Sequence, residues 1–159
     1  MSLFQILNGL TFAALLFVVA SGFTLIFGLL RIVNLAHGAL YLFGGYTGFT
    51  IASKIGSFSL GIAGAMVSVA CMGFLLNEGL LRFVRGYDLR QVLLSLGVAF
   101  VLNDMALVIW GGDSFTVPIP SLLTGGVRVF GTFYPLYRLF VLAVGLLIFL
   151  FLWLLINKT

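Results

Sequence analysis

The few polar side chains that interrupt long apolar runs are the residues of this sequence that could do chemistry. The stretch "RIVNLAHGALYLFGGYTG", residues 31–48, carries Asn34, His37 and Gly38, and a later run carries Asn103 and Asp104. His37 is the only histidine, and no carboxylates lie at metal-ligand spacing around it. A nucleophile motif such as G-x-S-x-G does not occur. We therefore expect no catalytic residue and no metal site, and we interpret the chain as a protein that is not an enzyme.

Two interpretations apply to the neighbouring polar residues Asn103 and Asp104. A carboxylate inside an apolar helix costs about 2.5 to 3.5 kcal/mol on insertion scales unless it is paired, protonated or hydrated. The first interpretation places both residues on a translocation pathway or at a hinge. The second has another helix's backbone, or a basic residue near the outer surface, satisfy them.

The stretch around His37 is expected to interrupt a helix. We expect Asn34 to cap or break the backbone, and His37 and Gly38 to open the next helix. Irregular backbone at membrane depth is tolerated only where protein or a water-filled cavity satisfies it. Asn34, His37 and Gly38 are therefore candidate helix-break or pathway residues, together with Asn103 and Asp104.

The composition of the chain indicates what kind of protein carries these polar residues. The 159-residue chain is 62% hydrophobic and 8% charged, with a mean hydropathy of +1.27, which excludes a water-soluble domain of this size. Its net charge of +4 comes from cations scattered between apolar runs, as topology-setting charges are, so we expect membrane lipid and no nucleic acid as a partner. The sequence indicates an integral membrane protein.

Five apolar runs predict an all-α, polytopic bundle of about five transmembrane helices. The predicted spans are residues 3–30, 35–53, 58–76, 91–110 and 139–156. With the N-terminus outside, the inner loops hold five cations and the outer side three, which fits the positive-inside rule. This orientation places Thr159 in the cytoplasm. Between the last two spans, Pro118 and Pro120 exclude a continuous helix, and "VRVFGTFY" predicts a hairpin in the outer loop that turns at Gly131-Thr132.

Small residues recur at steps of three and four along spans two, three and four. Close approach through small residues is what holds helices together in lipid, so these stripes predict packed faces. The glycines predicted to pack are Gly44, Gly45, Gly48, Gly61 and Gly64.

Residues 5–49 carry a resemblance to a known family. The matching segments read Asn8-Gly9-Leu10, "SGFTLIFG" at 21–28 and "VNLAHG" at 33–38, with "GGY" at 44–46 following. They resemble the opening of the LivH-type permease subunit of branched-chain amino acid ABC importers, and residues 85–104 and 117–155 resemble its later parts more loosely. The sequence departs from the family pattern at Ala39, where the family usually has an acidic or small polar residue.

The resemblance implies a transport machine made of several subunits. Two permease subunits form a pathway for leucine, isoleucine or valine, a solute-binding protein delivers the substrate, and two ABC ATPase subunits drive alternating access. The resemblance thus implies these partners, a location in the bacterial inner membrane, and no cofactor in this chain, because ATP is bound by the ATPases. It also implies that Arg31 anchors the cytoplasmic end of the first span.

The length of the chain leaves alternatives open. Such permeases are close to twice as long, so we expect residues 1–159 to be a single transmembrane permease domain and an N-terminal fragment. A small self-associating channel or other non-ABC membrane protein is the alternative, and an intramembrane enzyme is a third hypothesis. Related permeases carry urea or sugars, so an amino acid as substrate rests on the resemblance alone.

Overall fold

The computed structural model describes residues 3–30, 32–117, 119–129 and 131–158, and five α-helices account for most of them. They are α1 (Leu3–Leu30), α2 (His37–Ile55), α3 (Phe58–Gly79), α4 (Asp88–Trp110) and α5 (Leu136–Lys158). All but α2 are long and apolar enough to cross a membrane. The predicted all-α polytopic class is therefore confirmed, and every helix starts and ends within three residues of its predicted span.

The helix ends follow from local sequence. Gly56 adopts a φ of +73°, in the left-handed region that glycine favours, and its N–H bonds to the carbonyl of Ala52 to end α2. Ser57 then caps α3 by accepting a hydrogen bond from the N–H of Leu60. The α2–α3 connection is thus as short as an antiparallel helix pair allows.

The connection between α4 and α5 holds the hairpin that the sequence predicts. Strands β1 (Gly126–Val129) and β2 (Thr132–Pro135) pair antiparallel, with Val129 opposite Thr132. Thr132 therefore belongs to the second strand, so the predicted Gly131-Thr132 turn was wrong by one residue. Gly131 has a φ of +81°, the conformation that β-turns use glycine for.

Three residues of the sequence predictions lie outside the described part of the chain. They are Arg31, Pro118 and Thr159.

Two compact units make up the chain. The first unit contains residues 1–22 and 119–159. Its centre is Tyr134, which is fully buried; its hydroxyl lies 2.7 Å from the Thr11 hydroxyl and donates to the Leu7 carbonyl at 2.9 Å. These bonds tie strand β2 to helix α1, and Arg138 adds a hydrogen bond to the side chain of Asn8.

The second unit contains residues 23–118, with helices α2, α3 and α4. Its core consists of small and aliphatic side chains: Ala36, Ala39, Leu40, Ala99 and Leu102. Large apolar side chains such as Phe74, Phe100 and Val108 are exposed instead. This arrangement suits a protein whose solvent is lipid, since exposed apolar groups cost nothing there and small residues let the backbones approach.

Candidate functional site

A long groove in the second unit is the candidate functional site. It has a volume of about 1150 Å³ and is walled by α2, α3 and the segment that follows α4. Its lining residues on α2 run from His37 to Phe49, a distance of about 18 Å at 1.5 Å per residue. The middle of the groove is apolar, with Leu40, Val69 and Ala70 among its walls.

Glycine contacts hold α2 and α3 together beside the groove. A Cβ on Gly61 would lie 2.8 Å from both the Cβ of Ala52 and the carbonyl oxygen of Gly48, and one on Gly44 would lie 2.7 Å from Val69 Cγ2. At Gly64 a Cβ would collide with the side chain of Ile51. A Cβ on Gly48 would lie 3.2 Å from the Cβ of Ala65. At Gly61 the close atoms include backbone, so glycine is what lets the two helices approach there, whereas at Gly44 and Gly64 the side chains of Val69 and Ile51 would have to move.

Gly45 differs from the other four glycines predicted to pack. A Cβ there would meet no heavy atom within 4 Å, and the residue lines the groove. Its missing side chain therefore widens the groove and does not serve the helix contact. The sequence stripe could not separate Gly45 from Gly44 because the two are neighbours in the chain.

The first end of the groove, which we call the Asn34 end, lies at the start of α2. Asn34 is buried, and its Oδ1 accepts a hydrogen bond from the N–H of Ala36 at 3.0 Å. The carbonyl of Asn34 accepts from the N–H of His37 at 3.3 Å. The backbone at Asn34 is not helical, and α2 begins at His37.

Two buried side chains of α4 satisfy the irregular backbone before α2. Gln91 Oε1 accepts from the N–H of Val33 at 3.2 Å, and Ser95 Oγ accepts from the N–H of Leu35 at 3.0 Å. Both side chains are almost completely buried. Sequence reasoning missed these roles, because partners about 60 residues apart leave no local signal.

His37 and Gly38 differ in their exposure at the Asn34 end. His37 is half-buried, lines the groove and lies with its ring centroid 6.2 Å from that of Phe23. Gly38 is exposed, and a Cβ there would meet nothing within 4 Å. Asn77 of α3 also borders the groove. The polar side chains that line this end are therefore two amides and one imidazole, and Asn77 in turn hydrogen bonds to the charged Glu78 and Arg85 beside the groove.

The opposite end, which we call the Asp113 end, is bordered by a cluster of aromatic rings. Tyr46 stacks on Trp110 with ring centroids 5.2 Å apart, and Phe49 lies 4.8 Å from Phe115. Trp110 also donates from Nε1 to Thr50 Oγ1 at 2.7 Å. These contacts fix the segment after α4 on α2. Among the described lining residues, Asp113 is the only Asp, Glu, Lys or Arg.

Asn103 and Asp104 lie away from this groove. Both are exposed and neither is among the residues that line it. With the described residues, neither side chain makes a hydrogen bond or an ion pair. The structure therefore brings Asn34 and His37 together in one site and leaves Asn103 and Asp104 outside it.

The groove offers groups that can bind a small molecule. In the described part of the chain, no group of three His, Cys, Asp or Glu side chains is arranged to hold a metal ion. The groove offers an apolar wall, amide and imidazole groups at one end, and aromatic rings with one carboxylate at the other. Such a surface suits a small molecule with an apolar body and polar ends.

Comparisons with known proteins agree on one family. Residues 5–159 match the family described as "Branched-chain amino acid transport system / permease component". The chain is 28% identical over 137 residues to the high-affinity branched-chain amino acid transport system permease protein BraD of Pseudomonas aeruginosa, covering 80% of this chain and 44% of that protein. It is 28% identical over 131 residues to the permease protein LivH of Escherichia coli K12, covering 76% of this chain and 42% of LivH. The chain thus spans less than half the length of these curated relatives, and no solved structure matches it significantly.

Proposed function

Because the chain belongs to the family of permease components of branched-chain amino acid transport systems, we propose that it is a permease subunit of an ABC importer. In this role it moves branched-chain or related amino acids into the cell. Separate ATPase subunits bind ATP and drive the cycle, and the chain itself catalyses no chemical step. The family match favours this role over a small self-associating channel.

The groove between α2 and α3 is the observation that supports a transport role. Its apolar walls fit aliphatic side chains, and its polar groups lie at the two ends, about 18 Å apart along α2. A free amino acid is much shorter than this distance, so it cannot contact both ends at once. The groove therefore fits a path along which a substrate moves better than it fits a single closed binding pocket.

The proposed setting is the bacterial plasma membrane, with the N-terminus outside and Thr159 in the cytoplasm. In this orientation the Asp113 end faces outward, where a solute-binding protein would release substrate. The Asn34 end faces the cytoplasm, near the arginines that follow α3. A second permease subunit and two ABC ATPase subunits complete the proposed assembly.

Uptake of radiolabelled leucine in cells that lack the chromosomal copy tests the role. Complementation with the unaltered chain and its native partners should restore uptake, and Gly45→Leu should lower it at least tenfold. The added side chain has room in the structure and fills the groove without touching the glycine contact between α2 and α3.

Gly45→Ala is the matched control, because it adds only one methyl group at the same place. It should keep uptake within twofold, with equal amounts of both variants in the membrane by immunoblot. Equal uptake by Gly45→Leu and Gly45→Ala would contradict the assignment of this groove as the path. Loss of the gene without any effect on leucine uptake would contradict the amino acid assignment.

A further inference from the structure

Asp113 lines the groove from a short segment that is anchored on both sides. Gly111 ends α4 with a φ of +78°, in the region that glycine favours. Trp110 before it stacks on Tyr46, and Phe115 after it has its ring centroid 6.0 Å from that of Tyr46. Because the residues on both sides of Asp113 contact the same ring, the segment holds the carboxylate at the groove.

The groups around Asp113 fit the ammonium group of an organic molecule better than they fit a metal ion. A hard metal cation takes several oxygen ligands, but no second Asp or Glu is among the described residues that line the groove. An ammonium group needs less, because one carboxylate binds it by charge-assisted hydrogen bonds and aromatic faces attract it. The rings of Tyr46 and Phe49, both half-buried, line the same end of the groove.

The wall next to this end is apolar and has room for an aliphatic group. Gly45 directly precedes Tyr46, and a Cβ at Gly45 would meet no heavy atom within 4 Å. Helix α3 contributes Met66 and Val69 to the lining. A carboxylate and aromatic rings beside such a wall suit a molecule whose ammonium group is attached to an aliphatic body.

We propose that the Asp113 carboxylate binds the ammonium group of the transported molecule when it enters the groove. The rings of Tyr46 and Phe49 lie beside that group, and the aliphatic body packs at Gly45 and Val69. This inference rests on the proposed function and deepens it, because it assigns recognition of the amino group to one residue. No Lys or Arg is among the described lining residues, so binding at this end requires the ammonium group of the substrate and not its carboxylate.

Protection of an introduced thiol tests the proposal without an uptake measurement. Ser114, which lines the groove beside Asp113, is replaced by cysteine, and Cys71, the only cysteine of the sequence, by alanine. The chain is purified with its native membrane and ATPase partners but without a solute-binding protein. Its labelling by the neutral reagent N-ethylmaleimide is followed by mass spectrometry. Leucine and 3-methylbutylamine should slow the labelling, whereas 4-methylpentanoate, which lacks the ammonium group, should need at least a tenfold higher concentration.

Substitution of Asp113 provides the second measurement. Asp113→Asn should raise the half-protecting concentrations of leucine and 3-methylbutylamine at least tenfold, and Asp113→Glu should keep them within threefold. Asp88→Asn is the matched control, because it removes the same charge in the first turn of α4, at a position that does not line the groove. It should change the half-protecting concentrations less than twofold.

Several outcomes would overturn the proposal. They are protection unchanged by Asp113→Asn, equal protection by 4-methylpentanoate, absence of protection by either amine, and a thiol at position 114 that does not react. The comparison of the analogues uses the chain with Asp113 intact, so it decides even where Asp113→Asn does not assemble. Leucine uptake without any protection would contradict this inference alone. Protection by 3-methylbutylamine that depends on Asp113, without protection by leucine, would support the ammonium site and contradict the proposed amino acid substrate.

Discussion

The two faces of α4 carry polar side chains in opposite circumstances. On the buried face, Gln91 and Ser95 are enclosed, and each hydrogen bonds to the backbone that precedes α2. On the opposite face, Asp104 is exposed, and neither it nor its exposed neighbour Asn103, at the edge of the buried face, has a partner among the described residues. The comparison shows that one apolar helix carries both polar groups that complete the fold of the chain and polar groups that have no partner among the described residues.

The largest expected effect on the buried face is that of Gln91→Leu. The substitution leaves the N–H of Val33 without its partner and removes the hydrogen bond from Nε2 to the Val84 carbonyl. An unsatisfied buried group costs about 1 to 3 kcal/mol and a lost hydrogen bond about 0.5 to 1.5 kcal/mol, so we expect a loss of about 2 to 4 kcal/mol in folding free energy. The measurement is the midpoint of heat-induced aggregation of the purified transporter complex.

Leu93→Ala on the same helix is the control for Gln91→Leu. Leu93 is 60% exposed, so its truncation should leave the aggregation midpoint nearly unchanged. If both variants behaved alike, the buried face would not be the part of α4 that completes the fold, and the contrast between the two faces would fail.

Ala106→Leu is expected to have the next largest effect. Ala106 is buried on the same face as Gln91, and three added carbons must displace well-packed neighbours. Overpacking of this kind costs about 1 to 3 kcal/mol. We expect a lower aggregation midpoint for Ala106→Leu, and an unchanged one for the size-matched control Ala106→Ser. A stable Ala106→Leu variant would show that the buried face has spare room.

Most of the helix bounds could be predicted from the sequence, because charged residues in a membrane protein lie mainly between the apolar runs and so mark where the helices end. The bounds of α1 follow from 28 residues without a charge, and α2 ends next to Lys54 and Gly56. The break at Asn34 was also predictable, because an amide before His37-Gly38 competes with the helix for backbone hydrogen bonds.

The contacts between distant segments could not be predicted in this way. Gln91 and Ser95 can accept their backbone hydrogen bonds only when α4 lies beside residues 32–36. Nothing in the sequence indicates that these two segments pack together. The aromatic cluster at the Asp113 end likewise joins α2 to the segment after α4. The register of the hairpin differed from the prediction by one residue, because Thr132 pairs with Val129 and belongs to strand β2.

Trp110→Phe has the smallest expected effect and sharpens the comparison at the last residue of α4. Phenylalanine keeps an aromatic ring against Tyr46 but removes the hydrogen bond from Nε1 to Thr50 Oγ1. The loss of one such bond costs about 0.5 to 1.5 kcal/mol, so the aggregation midpoint should fall slightly. Trp110→Ala should lower it further, because the ring contacts with Phe43 and Tyr46 are then lost as well. If Trp110→Phe were as damaging as Trp110→Ala, the hydrogen bond and not the ring stacking would hold the segment after α4 in place, and the Asp113 end of the groove would depend on Thr50.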